Sequence, residues 1–369
     1  MTNKKKRFLE KIAEKLFLEY GTNLSNIVVV FPSRRAHIFF IDELSHFIKR
    51  PTWLPKFYSI EDIVFKIGGL NPITKLEFFF SFYRLYKKTI KNPQSLDQCY
   101  KWAPVLLEDF NEIDKSCADF ESLFSVLSDI KRLESWELHV DETSEHINDY
   151  LLFFDELKIL YQQLKSQLLA NKAVYSGLAQ RHVSESAEIV EEWMHHAGCE
   201  KIIFIGLDAL TNAQEKIINS LLKQDLCDIH WDADQYFIAD IQQESGKFLR
   251  RYQKKWPKKF TQITNEFLDS AKDIQILGTS KTITQAKLLG NLLMNNNYNE
   301  DSIKRVAIIL PNEHLLLPVL ESLPPEIQNI NVTMGYNLCN HPIVSFYDDI
   351  LTLYLNQKNN MSNYKYHFQ

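Results

Sequence analysis

The sequence predicts an α/β protein: a mainly parallel sheet interrupted by a long all-helical segment. Two patterns point to it. Short β-branched runs, too brief for helices, stand at Ile27-Val-Val-Val-Phe31, Lys201-Ile-Ile-Phe-Ile205 and Cys227-Asp-Ile-His-Trp231, and helical patterns of roughly ten to fifteen residues that follow such strands signal βαβ units. From Thr74 to about His196 the periodicity becomes helical with few turn signals. The composition agrees: ten glycines in 369 residues are under half the usual share of about 7%, which disfavours barrels and propellers.

Taken in order, Phe8–Tyr20 repeats apolar residues every four positions (Phe8, Ile12, Leu16 and Leu9, Ala13, Phe17), an amphipathic helix. Glu10, Lys11, Glu14, Lys15 and Glu19 interrupt it, so the basic start Met1–Arg7 is not followed by the apolar region of a signal peptide. No apolar run approaches the roughly 18 residues of a spanning helix, and the expected compartment is the cytoplasm. Cys99, Cys117, Cys199, Cys227 and Cys339 are an odd set without CxxC spacing, matching neither a disulfide framework nor a zinc ribbon.

The strand 27–31 ends in Pro32-Ser33-Arg34-Arg35, and a helix is expected over Ala36–Ile48 with Ser33 as its N-cap. Lys56-Phe-Tyr58 reads as extended and leads to Ser59, with Asp62 at capping-box spacing. Leu151–Leu169 is the clearest helix of the insertion. A helix over 212–223 separates the strands 201–205 and 227–231. Two further β–α pairs are expected, Ile274–Leu277 into Thr284–Met294 and Val306–Leu310 into Glu313–Leu320.

Charge is segregated along the chain. Residues 1–60 hold 11 basic and 5 acidic side chains, residues 101–150 hold 4 and 13, and residues 247–260 hold seven basic and no acidic ones. Parallel strands raise the question of nucleotide binding, yet neither GxxxxGK[ST] nor GxGxxG occurs in the sequence, so Walker-type ATP hydrolysis is not expected. Asp208, after the strand 202–205, stands where α/β nucleotidases place a metal-holding acid; capping the next helix is its commoner role. Asp232 and Asp234 are ordinary turn residues after a strand, although paired carboxylates can hold Mg²⁺. Glu156-Leu157-Lys158 matches a nuclease triplet but lies in a helical stretch. His195, His196 and Cys199 lack a fourth ligand at zinc spacing and read as a helix C-terminus. Glu108, Asp109, Glu112 and Asp114 read as a solvated acidic helix face. No cofactor, zinc or iron–sulfur cluster is expected.

Two segments suit phosphate. Ser33, Arg34 and Arg35 lie in a strand-end loop, the place where α/β folds bind ligands. Lys247, Arg250, Arg251, Lys254, Lys255 and Trp256 belong to a run whose aromatics Phe248, Tyr252, Trp256 and Phe260 fall four apart. Cations there would neutralise phosphates and aromatics would stack on bases; the competing role is an aromatic stripe packed in the core beneath a solvated basic back.

Val28–Ala36, Trp102–Asp114, Phe204–Thr211 and Ile330–Gly335 together resemble the AddB-like subunit of bacterial helicase–nucleases, in its Bacteroidetes branch: an inactivated superfamily I helicase followed by a PD-(D/E)xK nuclease. The resemblance implies a RecA-like domain (1–73 plus 197–270), an all-α 1B-like insertion (74–196) and an incomplete second RecA-like α/β domain (271–369). It also implies processing of double-strand DNA ends for repair, beside an AddA-like active subunit. By resemblance Arg34 and Arg35 take a DNA-facing motif Ia position and Asp208 a degenerate Walker-B position. The nuclease motif of the family has no counterpart here. The expected function is a DNA-engaging, ATPase-dead helicase-like module; the alternative is a protein scaffold that docks the motor through the insertion.

Overall fold

Strands made almost wholly of apolar residues need cover on both faces, and the computed structural model supplies it. The structure describes residues 6–126, 144–257, 263–296, 298–335 and 338–359. Helix α1 (Phe8–Tyr20) precedes β1 (Ile27–Phe31), α2 (Ala36–Ser45), β2 (Lys56–Ser59) and α3 (Ile60–Gly68). A two-residue strand, β3 (Asn71–Pro72), leads into α4 (Lys75–Thr89), α5 (Leu96–Tyr100), α6 (Ala103–Ser116) and α7 (Ser144–Ala170). The chain returns through β4 (Ala173–Val174), α8 (Ser176–Glu185) and α9 (Ala187–Ala197) to β5 (Lys201–Ile205), α10 (Asn212–Lys223) and β6 (Cys227–His230). Then follow β7 (Ala233–Asp234), α11 (Gln235–Ala239), α12 (Lys247–Lys255), β8 (Ile263–Thr264) and α13 (Glu266–Asp269).

The main sheet is parallel throughout, in the order β2-β1-β5-β6. All five residues of β1 are buried, and they alternate between two cores, as the period of two requires. Ile27, Val29 and Phe31 pack with Ile12, Leu16, Phe40 and Leu44 of α1 and α2 and with Ile203 and Ile205. Val28, Val30, Ile202 and Phe204 point the other way, into a core that also holds Phe82, Phe110, Leu160, Leu178, Ile218 and Tyr252. Helices from the 74–196 segment share this second core. They lie in sequence between β2 and β5, as an insertion between strands of the sheet, and fall in one compact unit with it, Met1–Ala271.

Several elements match their expected spans: α1, β1, β5 and α10. Ser59 caps α3, its Oγ accepting from the Asp62 N–H at 3.1 Å. Ser33 does not cap α2. The helix starts at Ala36 behind Arg35, without a side-chain cap, and the Ala36 N–H reaches the Ser33 carbonyl at 3.3 Å; the turn after Pro32 takes up the residues a cap would have used.

Lys272–Gln369 is a second unit, with α14 (Thr282–Asn295), α15 (Glu300–Ile303), α16 (Leu316–Ser322) and α17 (Pro342–Asn359). The helices expected after 284 and 313 form, the latter as a 3₁₀ turn, Glu313–Leu315, followed by α16. The strands expected at 274–277 and 306–310 do not: among the described residues of this unit no strand is paired. Ile276 and Ile309 are 92% and 85% exposed. β-branched sequence favours extended backbone, but a strand also needs a neighbour to complete its ladder, so the second parallel sheet expected here is not formed.

The acidic face expected on α6 is only partly solvated. Asp114 is fully buried and accepts hydrogen bonds from Tyr161 Oη, from Tyr175 Oη at 2.5 Å and from Arg181 Nη1 at 3.2 Å. It continues the buried positions Leu107 and Phe110 around the helix, a spacing legible in the sequence. The Asp114 charge and burial together push the Tyr161 and Tyr175 hydroxyls well above their usual range, burial being the larger cause. Breaking a buried ion pair typically costs about 3–5 kcal/mol; Asp114→Ala should lower unfolding stability by about that amount in urea melts, and a loss below about 1 kcal/mol would show that these groups are hydrated in the native state.

Candidate nucleic-acid interface

Parallel strands bring their following loops to one edge of the sheet, so the carboxyl ends of β2, β1, β5 and β6 share a rim. Above β1 stand Ser33, Arg34 and Arg35, all exposed. Because Phe31 is in register with Ser59, the start of α3 lies beside this loop. Arg34 there makes a bidentate pair with Asp62, Nε to Oδ2 at 2.8 Å and Nη2 to Oδ1 at 2.6 Å, while its side chain stays 80% exposed. Asp62 also accepts from the Ser59 hydroxyl at 2.7 Å. The Arg34 guanidinium, aided by Ser59, holds the Asp62 carboxyl down at about 2.

Above β5 and β6 the rim turns acidic. Gly206 takes a left-handed turn (φ 70°) after β5, its N–H bonded to the His230 carbonyl at 2.9 Å, and Asp208 follows. Burial and then the Asp232 charge raise the Asp208 carboxyl; burial and then Glu266 raise Asp232. Asp208 does not cap α10, since Thr211 does so through a reciprocal box with Gln214. Asp234 caps α11, accepting from the Tyr236 N–H at 3.1 Å.

The basic run is the α12 helix; of its aromatics Tyr252 and Trp256 face inward, while Phe248 is exposed. Tyr252 is fully buried, its oxygen accepting from the Leu210 N–H at 2.7 Å. Trp256 is buried as well, stacked near Trp231 and Tyr252 at centroid distances of 6.0 and 5.5 Å, and its Nε1 donates to Asn219 Oδ1 at 3.2 Å. Trp256 therefore does not present a face for base stacking. Three of the cations are paired within the chain. Arg250 binds the carbonyls of Phe237, Asp240, Ile241 and Gln243 at 2.7–3.2 Å, tying down the loop before its own helix. Arg251 and Lys255 both reach the buried Glu215, Lys255 at 2.8 Å. Lys247 and Lys254 are exposed on the outer side. Lys258, Lys259 and Phe260 lie outside the described residues.

Arg34 and Asp62 also border a cavity of about 650 Å³, sunk between α3, the start of α4, α5, one face of α6 and the start of α8. Its wall carries Phe65, Phe78, Phe79, Tyr100, Leu107 and Tyr175, and Glu61, Lys75, Glu108 and Lys115 add charges of both signs. Sequence reading missed this site, because its residues are dispersed from 34 to 176 and meet only through packing.

His195, His196 and Cys199 end α9 at Gly198, which is left-handed (φ 59°) as a helix C-cap requires. Glu156-Leu157-Lys158 lies within α7, with Leu157 in the core. Among the described residues no three His, Cys, Asp or Glu side chains group as metal ligands, and no helix is long and apolar enough to cross a membrane. No family model and no curated protein matches the chain.

Two measurements check this arrangement. Burial pushes the Cys99 and Cys199 thiols up to about 11, whereas Cys339 is exposed; at pH 8 a thiol reagent should modify Cys339 first and Cys99 and Cys199 only on unfolding. The Asp62 carboxyl carbon should titrate near 2 and return to about 4 in Arg34→Ala. Since the folded value is depressed, the stabilisation from this pair is present above about pH 4 and disappears as pH falls through about 2. A titration unmoved by Arg34→Ala would place the cause elsewhere.

Proposed function

We propose that this chain is a helicase-like, ATPase-dead module of a DNA-end-processing helicase–nuclease, engaging DNA at the carboxyl rim of its parallel sheet. One observation carries the reading: the Ser33–Arg35 loop is exposed at that rim, with a guanidinium already in the planar, bidentate geometry that suits a carboxylate or a phosphate. Phosphate contacts at such a loop would fix the register of a strand without reading its sequence. Arg34 would exchange Asp62 for a phosphate, a feasible swap because exposed ion pairs hold weakly. Lys247 and Lys254 of the basic helix are exposed, as are Arg251 and Lys255 despite their pairs with Glu215. The energy for movement along DNA would come from an AddA-like motor subunit, since this sequence carries no phosphate-binding loop.

A second reading, a protein scaffold with little DNA affinity, is favoured by a specific observation. Arg250, Arg251 and Lys255 bind carbonyls and a buried carboxylate of the chain itself, which shrinks the cationic surface. Deleting 74–196 is no test of docking, because those helices share a hydrophobic core with the sheet; co-purification of the intact chain with the motor subunit is the suitable assay.

DNA engagement is tested by fluorescence anisotropy of labelled single-stranded and duplex-end DNA over a salt series. Arg34→Ala/Arg35→Ala should weaken single-strand binding and reduce the log–log salt slope by roughly 1.4, about 0.7 for each phosphate that is no longer neutralised. Asp62→Ala, which frees the guanidinium, should tighten it. An unchanged slope removes the loop from the interface, and no binding at low salt by the folded chain leaves the scaffold.

A further inference from the structure

We infer that the 650 Å³ cavity beside Arg34 is a docking site for a polypeptide: an amphipathic segment of a partner protein that inserts a large apolar side chain flanked by charges of both signs. The inference rests on the scaffold reading and gives it a location.

The cavity lies within the roughly 300–1,000 Å³ typical of ligand sites. Its wall is aromatic and well supported. Phe78 stacks on Tyr175 with centroids 4.5 Å apart, and Phe79 meets Tyr100 edge-on at 5.0 Å. This wall suits a large aliphatic or aromatic side chain.

The apolar surface does not stop at the mouth. Leu76 and Tyr100 line the cavity and are still 59% and 56% exposed, and Phe80, one turn beyond Leu76 on α4, is also exposed. A small polar ligand would leave this lip in water. A polypeptide would place a large side chain in the cavity, with room left for its neighbours, and cover the lip with residues one turn away.

Charge separates a polypeptide from a nucleic acid. The lining holds Arg34, Lys75 and Lys115 against Glu61, Asp62 and Glu108, so it has no net positive charge. Arg34 is engaged by Asp62 and Lys115 by Glu112, at 2.6 and 2.7 Å. Lys75, Glu61 and Glu108 are exposed. A phosphate backbone entering here would meet as many carboxylates as cations, whereas a polypeptide can offer a carboxylate to Lys75 and a cation to Glu61 or Glu108.

The test is selection of random 12-residue peptides displayed on phage against the intact chain, followed by anisotropy of the selected peptides labelled with a fluorophore. The expected result is a consensus with one large apolar anchor between a basic and an acidic residue. Its affinity should fall about tenfold or more in Leu76→Asp and in Tyr100→Ala. Both residues are over half exposed, and unchanged thermal melts confirm that the variants fold. Failure to enrich a consensus, or binding unaffected by both variants, overturns the proposal. Displacement of the peptide by labelled oligo-dT, with Leu76→Asp weakening the oligonucleotide as well, overturns it in favour of nucleic acid. A chain that co-purifies with a motor subunit yet selects no peptide removes the cavity alone; a chain that binds no motor subunit removes the motor-docking scaffold while the peptide result stands by itself.

Discussion

The central strand β1 is buried on both faces, and this one constraint organises Met1–Ala271. Val29 and its odd-numbered neighbours must be covered by α1 and α2, while Val28 and Val30 must be covered by something else. The α3 helix packs on β1 and β2 and α10 on β6, and helices from the 74–196 segment extend the same core. The polar knot at Asp114 follows from the same burial, since a carboxylate carried into this core needs donors on every side.

With both faces of the sheet closed, chemistry is confined to its ends and to the seams between helices. The carboxyl rim carries arginines above β1 and paired aspartates above β5 and β6, an electrostatic division set by strand order. The cavity beside Arg34 is a seam of the second kind, formed where α3, α4, α6 and α8 fail to fill the space between them. Rim and seam share Arg34, which pairs with Asp62 at the rim and borders the cavity.

The α12 helix shows two uses of one sequence competing. Burying a large side chain is worth about 1.5–3 kcal/mol, and here Tyr252, Trp256 and Trp231 gain it together in one stack. With Tyr252 and Trp256 facing inward, Arg250, Arg251 and Lys255 are carried to the edges of that stack, where they meet carbonyls and Glu215. A basic run that looks open along the sequence thus becomes, for three of its cations, a set of internal ties.

Local pattern alone determined much of this protein. The β-branched runs 27–31 and 201–205, the four-residue period of 8–20, the Ser59–Asp62 cap and the span of α10 each depend on interactions within a few residues, which is why they were legible. Tertiary structure decided the rest. Whether 274–277 and 306–310 become strands depends on a neighbouring backbone, whether Asp114 is solvated depends on Tyr161, Tyr175 and Arg181, and whether Trp256 meets solvent depends on Trp231. The cavity was invisible for the same reason: it is a gap between elements far apart in the chain, and no local periodicity encodes a gap. Sequence sets what each segment prefers by itself; partners brought together by packing decide which side chains remain available to anything else.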